Sequence, residues 1–119
     1  MQQRVYIASD HAGFELKEFL KTRFKEYNWI DVGPFDKERV DYPDYAKQLC
    51  VKIAQSDYKH FGILICGSGQ GMAITANKQP GIRAALCWNE DIAKLSRAHN
   101  DANVLCLSAR EIDKEDKIA

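Results

Sequence analysis

From Arg4 to Leu107 the chain alternates short runs of β-branched and aliphatic residues with stretches in which apolar positions recur every three or four residues. A strand repeats every two residues and a helix every 3.6, so this alternation predicts a parallel α/β sheet. Five strands are expected, at Val5 to Ser9, Trp29 to Val32, Gly62 to Ile65, Ala84 to Cys87 and Val104 to Leu107. Most are apolar almost throughout, as strands covered on both faces must be. Ala12, Leu16, Phe19, Leu20 and Phe24 predict a first helix; Ala46, Leu49, Ile53 and Ala54 predict a second, with Pro43 suited to its first turn. Asn89, Glu90 and Asp91 predict a helix start just after the fourth strand, because an Asn cap and early acidic residues satisfy the positive end of a helix. The longest irregular stretch runs from Gly33 to Asp41, and loops of that length are often functional or mobile. Ala109 to Ala119 looks like the beginning of a charged helix.

At 119 residues the chain fits one domain, residues 1–119, with no repeat or linker. The expected architecture is a single-domain, Rossmann-like, three-layer αβα sandwich on a five-stranded parallel sheet. Seventeen Lys and Arg balance seventeen Asp and Glu, so no general field draws the chain to nucleic acid or to an acidic membrane. Its longest apolar stretches, such as Ile63 to Cys66 and Ala84 to Trp88, fall far short of the roughly 20 residues a membrane helix needs. The start of the chain lacks a signal peptide's apolar region, and a cytoplasmic location is expected. Cys50, Cys66, Cys87 and Cys106 form no C-x-x-C pair and neighbour no His cluster, which argues against zinc and against a disulfide framework.

In an open α/β sheet, ligands settle at the carboxyl ends of strands where the strand order reverses, which directs attention to the residues after strands one and three. Strand one leads into Ser9-Asp10-His11-Ala12-Gly13, a carboxylate, an imidazole and a flexible glycine. Strand three leads into Cys66-Gly67-Ser68-Gly69-Gln70-Gly71, a thiol beside glycines that open the next helix, whose backbone N–H groups could hold an anion. A P-loop would need Gly-Lys-Ser/Thr, but Met72 follows Gly71. A dinucleotide fingerprint would follow the first strand instead of the third. A cysteine phosphatase would need an Arg closing the loop, where Met72, Ala73 and Ile74 stand. Two readings of Cys66 remain: a thiol at a helix N-terminus, available as nucleophile or base, or a buried residue ending a core strand. Cys50, Cys87 and Cys106 read as packing residues, and His60, beside Lys59, as solvated. In Ser96-Arg97-Ala98-His99-Asn100-Asp101-Ala102-Asn103, the local reading is that Asn100 and Asn103 end a helix whose C-terminal dipole favours His99.

Taken together these blocks resemble the type B ribose-5-phosphate isomerases and the related galactose-6-phosphate isomerase subunits. The resemblance covers nearly the whole chain and also includes Asp41-Tyr42-Pro43, Ala76-Asn77-Lys78 and Gly81-Ile82-Arg83-Ala84, in the same order. It implies interconversion of ribose 5-phosphate and ribulose 5-phosphate, a pentose phosphate pathway step, without metal or organic cofactor. It implies that Cys66 is the base and that Gly67, Ser68, Gly69 and Gly71 form the anion-stabilising loop. His99 would open the sugar ring, Asp10 would assist at the ring oxygen or a hydroxyl, His11 and Arg110 would contact phosphate, and Asn100 a sugar hydroxyl. Galactose or allose 6-phosphate remains an alternative substrate, and a non-catalytic sugar-phosphate binding protein an alternative function.

Three departures from the resemblance stand out. Trp88 replaces a residue more often polar, and Ser108 one more often Gly. The family continues into a further helix whose arginines also grip phosphate, so truncation of that helix is expected here, the alternative being phosphate binding by His11 and Arg110 alone. Chain direction adds a further expectation. Asp10, Cys66 and Arg110 follow parallel strands and gather at one end, whereas His99 closes a helix running back to the other end, about a strand length or 17 Å away. A homodimer with active sites at the subunit interface, or a tetramer built from it, resolves this by bringing one subunit's His99 and Asn100 to the other's Cys66 and His11.

Overall fold

The computed structural model describes residues 3–35 and 42–110. In chain order the elements are β1 (Arg4–Ser9), α1 (Phe14–Arg23), β2 (Asn28–Gly33), α2 (Tyr42–Gln55), β3 (Phe61–Cys66), α3 (Gln70–Asn77), β4 (Ala84–Leu86), α4 (Glu90–Asn100) and β5 (Val104–Ser108). The five strands form one sheet in the order β2-β1-β3-β5-β4, with every pairing parallel. The order reverses between β1 and β3, the central pair, so the crevice beyond their carboxyl ends is the place to seek a ligand. Asp36 to Asp41, and the chain after Arg110, where the long loop continues and the charged helix was expected, lie outside the described residues.

Side chains alternate across each strand, and this splits the core in two. On one face Leu64, Cys66, Val104 and Cys106 pack with Ala46, Leu49, Cys50 and Ile53 of α2 and with Met72 and Ala76 of α3. On the other, Ile7, Ile65 and Leu107 meet Leu16 and Leu20 of α1. Strand ends lie within a residue or two of expectation: β4 is shorter, stopping at Leu86, although the Cys87 N–H still reaches the Cys106 carbonyl at 3.1 Å. The first helix begins at Phe14 and not at Ala12, because Gly13 takes the cap position, its N–H donating to the Asp10 side chain at 3.0 Å. Asn89 caps α4 as its sequence suggested, its side chain accepting from the Ile92 N–H at 2.9 Å. At the other end Asp101, with φ 51°, takes the left-handed cap position after Asn100, while the Asn103 side chain leaves the helix and bonds the Gly81 carbonyl (3.0 Å) and the Arg83 N–H (2.9 Å).

Two charged or polar side chains are more deeply placed than their neighbours in sequence imply. His60 is buried, not solvated: its Nδ1 accepts from the Arg4 N–H at 3.0 Å and its ring meets Tyr6 edge-on. Lys17, on the inner face of α1, is fully buried. Its Nζ donates to both oxygens of Asp31 (2.8 and 2.7 Å) and to the Pro34 carbonyl (2.7 Å), and Lys21 reaches the same carboxylate. Burial pushes the Asp31 carboxyl up, but hydrogen bonds from Lys17 and Lys21, the Lys17 charge and the Gly33 N–H together outweigh it and hold the group below its ordinary value. This cluster fastens α1 to the end of β2, beside the carboxyl edge of the sheet.

Candidate active site

The ends of the central strands are laced together by main-chain bonds. The Asp10 N–H, just past β1, donates to the Ile65 carbonyl at 3.0 Å; past β5, the Ala109 N–H donates to the Cys66 carbonyl (2.9 Å) and the Arg110 N–H to the Gly67 carbonyl (3.1 Å). These bonds bring Asp10, Cys66 and Arg110 to one edge, with His11 exposed in the turn after Asp10. Asp10 is largely buried and fixed through its bond to Gly13, so its carboxylate holds one orientation.

Cys66 is the last residue of β3 instead of the first of the loop, so it ends a core strand and also stands where the chain turns into α3. It is 5% exposed and belongs to the core beside Leu64 and Met72, yet its sulfur accepts the Gly69 N–H at 3.1 Å. That N–H lies where the chain turns into α3, and a donor aimed at sulfur suits a sulfur that becomes negative during a reaction. Gly69 makes the turn with φ 79°, a left-handed conformation that costs other L residues about 1–2 kcal/mol. Ser68 is exposed on the loop, its hydroxyl accepting from the Gln70 N–H at 3.3 Å, and Gly71 lies in the first turn of α3. The N–H end of a helix, next to a hydroxyl, suits a negative oxygen.

Gly67 has a separate role. A Cβ there would stand 3.1 Å from Arg110 Cζ, so the absence of a side chain lets the guanidinium rest against the loop. The Gly67 carbonyl also accepts from the buried Ser108 hydroxyl at 2.7 Å, a contact that sequence reading noted only as a departure at position 108. Two donors on one carbonyl, from Ser108 and from the Arg110 N–H, fix the plane of the peptide that carries the Ser68 N–H. Cys50, Cys87 and Cys106 are packing residues as expected. Burial pushes Cys50 up to about 11 and raises Cys87 and Cys106 as well, so they stay protonated thiols near neutral pH.

His99 and Asn100 do not join this group within the subunit. They are the exposed last residues of α4, and the chain re-enters the sheet at Val104, whose partner is Gly62 at the start of β3. Cys66 lies four residue steps farther along the same register, about 13 Å at a strand's rise per residue. Among the described residues, no cluster of three or more His, Cys, Asp or Glu is placed to hold a metal, and no helix is long and apolar enough to cross a membrane.

This geometry can be set beside known proteins. The ribose/galactose isomerase family pattern matches residues 5–119. A probable ribose-5-phosphate isomerase B of Mycoplasma genitalium is 45% identical over 124 residues, covering 99% of this chain and 80% of that protein. Among solved structures, a ribose 5-phosphate isomerase from Thermotoga maritima is 49% identical with a TM-score of 0.89, over 97% of this chain and 80% of the other. The Mycoplasma genitalium ribose-5-phosphate isomerase B with bound ribulose-5-phosphate is 41% identical with a TM-score of 0.90, over 98% and 78%.

Proposed function

Because the chain belongs to the ribose/galactose isomerase family, we propose that it interconverts ribose 5-phosphate and ribulose 5-phosphate through an enediolate. The observation that carries this reading is the Cys66 sulfur at the switch point of the sheet, holding the Gly69 N–H at 3.1 Å with Asp10 and Arg110 on the same edge. The reaction needs a base that removes the proton on carbon 2 of the aldose and returns it to carbon 1, while charge on the intervening oxygens is stabilised. Cys66 is that base. The Ser68 hydroxyl, which can donate while accepting from Gln70, and the N–H groups of Ser68 and Gly71 face the negative oxygen of the enediolate, while the Gly69 N–H holds the Cys66 sulfur. Arg110, resting against Gly67, takes the phosphate together with His11, and Asp10 steadies a sugar hydroxyl or the ring oxygen.

Sugar phosphates arrive mainly as rings, and ring opening needs an acid/base within about 3 Å of the ring oxygen. His99 fills that role for the partner subunit, with Asn100 on a sugar hydroxyl, so the working unit is a two-fold dimer with two shared sites. The separation of about 13 Å along β3 between the level of α4's end and Cys66 supports sharing over a site built within one chain.

The test is turnover of ribose 5-phosphate, with galactose 6-phosphate and allose 6-phosphate as competing substrates, by the protein and by Cys66→Ala. Ribose 5-phosphate should be turned over fastest, and Cys66→Ala should lose turnover by at least a thousandfold while still binding the substrate, since losing a proton-transfer group acts on the transition state more than on the ground state. Near-normal turnover by Cys66→Ala would assign the base elsewhere. Preference for a hexose phosphate would keep the chemistry and change the substrate.

A further inference from the structure

A histidine that must enter another subunit's site has to be held still, and the described core gives α4 little to hold it with. None of its residues is buried, and among the described residues a cavity of about 720 Å³, lined by Leu20, Phe24, Ile63, Leu105 and Leu107, lies between the sheet, α1 and α4. Among the described residues, the Ala102 N–H bonds the Ser96 carbonyl at 3.0 Å, and the side chain that reaches farthest from the last turn of the helix is Arg97. The Arg97 guanidinium lies over the Phe61 ring at the start of β3, 4.6 Å from its centroid. Its Nη1 donates to the Ala102 carbonyl at 2.5 Å and to the Asp101 carboxylate at 3.3 Å. Ala102 is buried, and Asn103 beyond it is tied to Gly81 and Arg83 by its side chain and to the Gly62 N–H by its carbonyl. Arg97 therefore joins the last turn of α4 to a strip of chain that is itself fixed to two strands.

We propose that Arg97 is a positioning residue for His99 and Asn100, setting where they stand in the partner's site. This rests on the shared-site reading above. Helix geometry gives the direction: residues 97 and 99 are about 200° apart around α4, so an Arg97 laid on Phe61 turns the imidazole outward, away from its own subunit. A planar guanidinium suits the task, because it can stack on a ring while its edge N–H groups reach a carbonyl and a carboxylate together. A Lys ammonium at the same position can satisfy one of these partners at a time.

The inference predicts that Arg97→Ala damages the half of the site its own chain lends to its partner and spares the half built around its own Cys66. Homodimers of Arg97→Ala should lose at least tenfold in turnover of ribose 5-phosphate, with Arg97→Lys in between. The decisive experiment mixes chains under conditions that allow subunit exchange and isolates mixed dimers. Cys66→Ala with His99→Ala is the control, and in it one site of two should be intact, giving about half the wild-type turnover. Cys66→Ala with Arg97→Ala should recover to the same level, since the intact Cys66 of one chain then meets the intact Arg97 and His99 of the other. Recovery in the control but not with Arg97→Ala would make Arg97 a structural residue of its own subunit and overturn the inference, as would full activity of the Arg97→Ala homodimer. No recovery in the control would overturn the shared site itself, and the inference with it. If Arg97→Ala does not fold, Arg97→Lys takes its place in the mixture and is read in the same way.

Discussion

Replacing Asp31 by Asn removes the carboxylate on which Lys17 and Lys21 converge. The Lys17 side chain has no exposure and that of Asp31 only 11%, so water cannot replace the lost partner. Breaking a buried pair by removing one member costs about 3–5 kcal/mol, because the remaining charge stays buried. The lower end applies here, since the Pro34 carbonyl at 2.7 Å still accepts from Lys17, and the half-exposed Glu18 carboxylate remains at 3.4 Å. The new amide also turns an N–H toward an ammonium. A loss of about 3 kcal/mol from a domain holding about 5–15 kcal/mol is large, and at this length it lowers Tm by about 10 °C. Urea unfolding followed by circular dichroism, at fixed subunit concentration, measures it directly. The pH dependence supplies a second reading. Because the folded state holds the Asp31 carboxyl below its ordinary value, its contribution is complete above the unfolded value near 3.9. It is lost as pH falls through the lower folded value, so the wild-type and Asp31→Asn stabilities should converge in acid. A difference under about 1 kcal/mol at pH 7, or one that fails to narrow in acid, would refute the argument.

Arg110→Ala should raise KM tenfold or more, the equivalent of about 1.5–3 kcal/mol for a charge-assisted bond to phosphate, while kcat changes little. Steady-state kinetics showing a collapsed kcat with unchanged KM would move Arg110 from phosphate to the reacting carbons. Gly69→Ala should be doubly penalised, by about 1–2 kcal/mol for its left-handed backbone and by a Cβ that would stand 2.5 Å from Leu86 Cδ1 and 3.1 Å from the Leu107 backbone. Thermal unfolding should show the loss and turnover should fall with it; a variant of wild-type stability and rate would mean the turn can be made another way.

The inner strands were legible because they are largely covered on both faces and apolar along most of their length, as Phe61–Cys66 and Val104–Ser108 are. The gathering of Asp10, Cys66 and Arg110 was legible too, because in a parallel sheet chain direction decides which end a residue reaches. Contacts between residues far apart in sequence were not. Lys17 follows Leu16 in a helix that otherwise reads as amphipathic, and no period relates it to Asp31 on the next strand, so its burial comes entirely from tertiary structure. His60 was misread for the same reason: what encloses it is Arg4 and Tyr6 of β1, more than fifty residues earlier. Ser108 showed as an unusual residue, but its bond to Gly67 spans 41 positions and has no local signature. Arg97 was visible only as part of a motif, since its platform, Phe61, belongs to another strand.

The opposite placement of Cys66 and His99 along one strand direction has a consequence for how activity scales with amount. A catalyst complete within one chain loses nothing when diluted. A catalyst whose proton-transfer group and ring-opening group come from two chains is assembled by an encounter, so below the dimer's dissociation constant its output falls with the square of chain concentration. On the shared-site proposal, halving the supply of this chain in that regime would leave about a quarter of the ring-form turnover, so a modest rise in expression would act as a steep control on flux through the reaction.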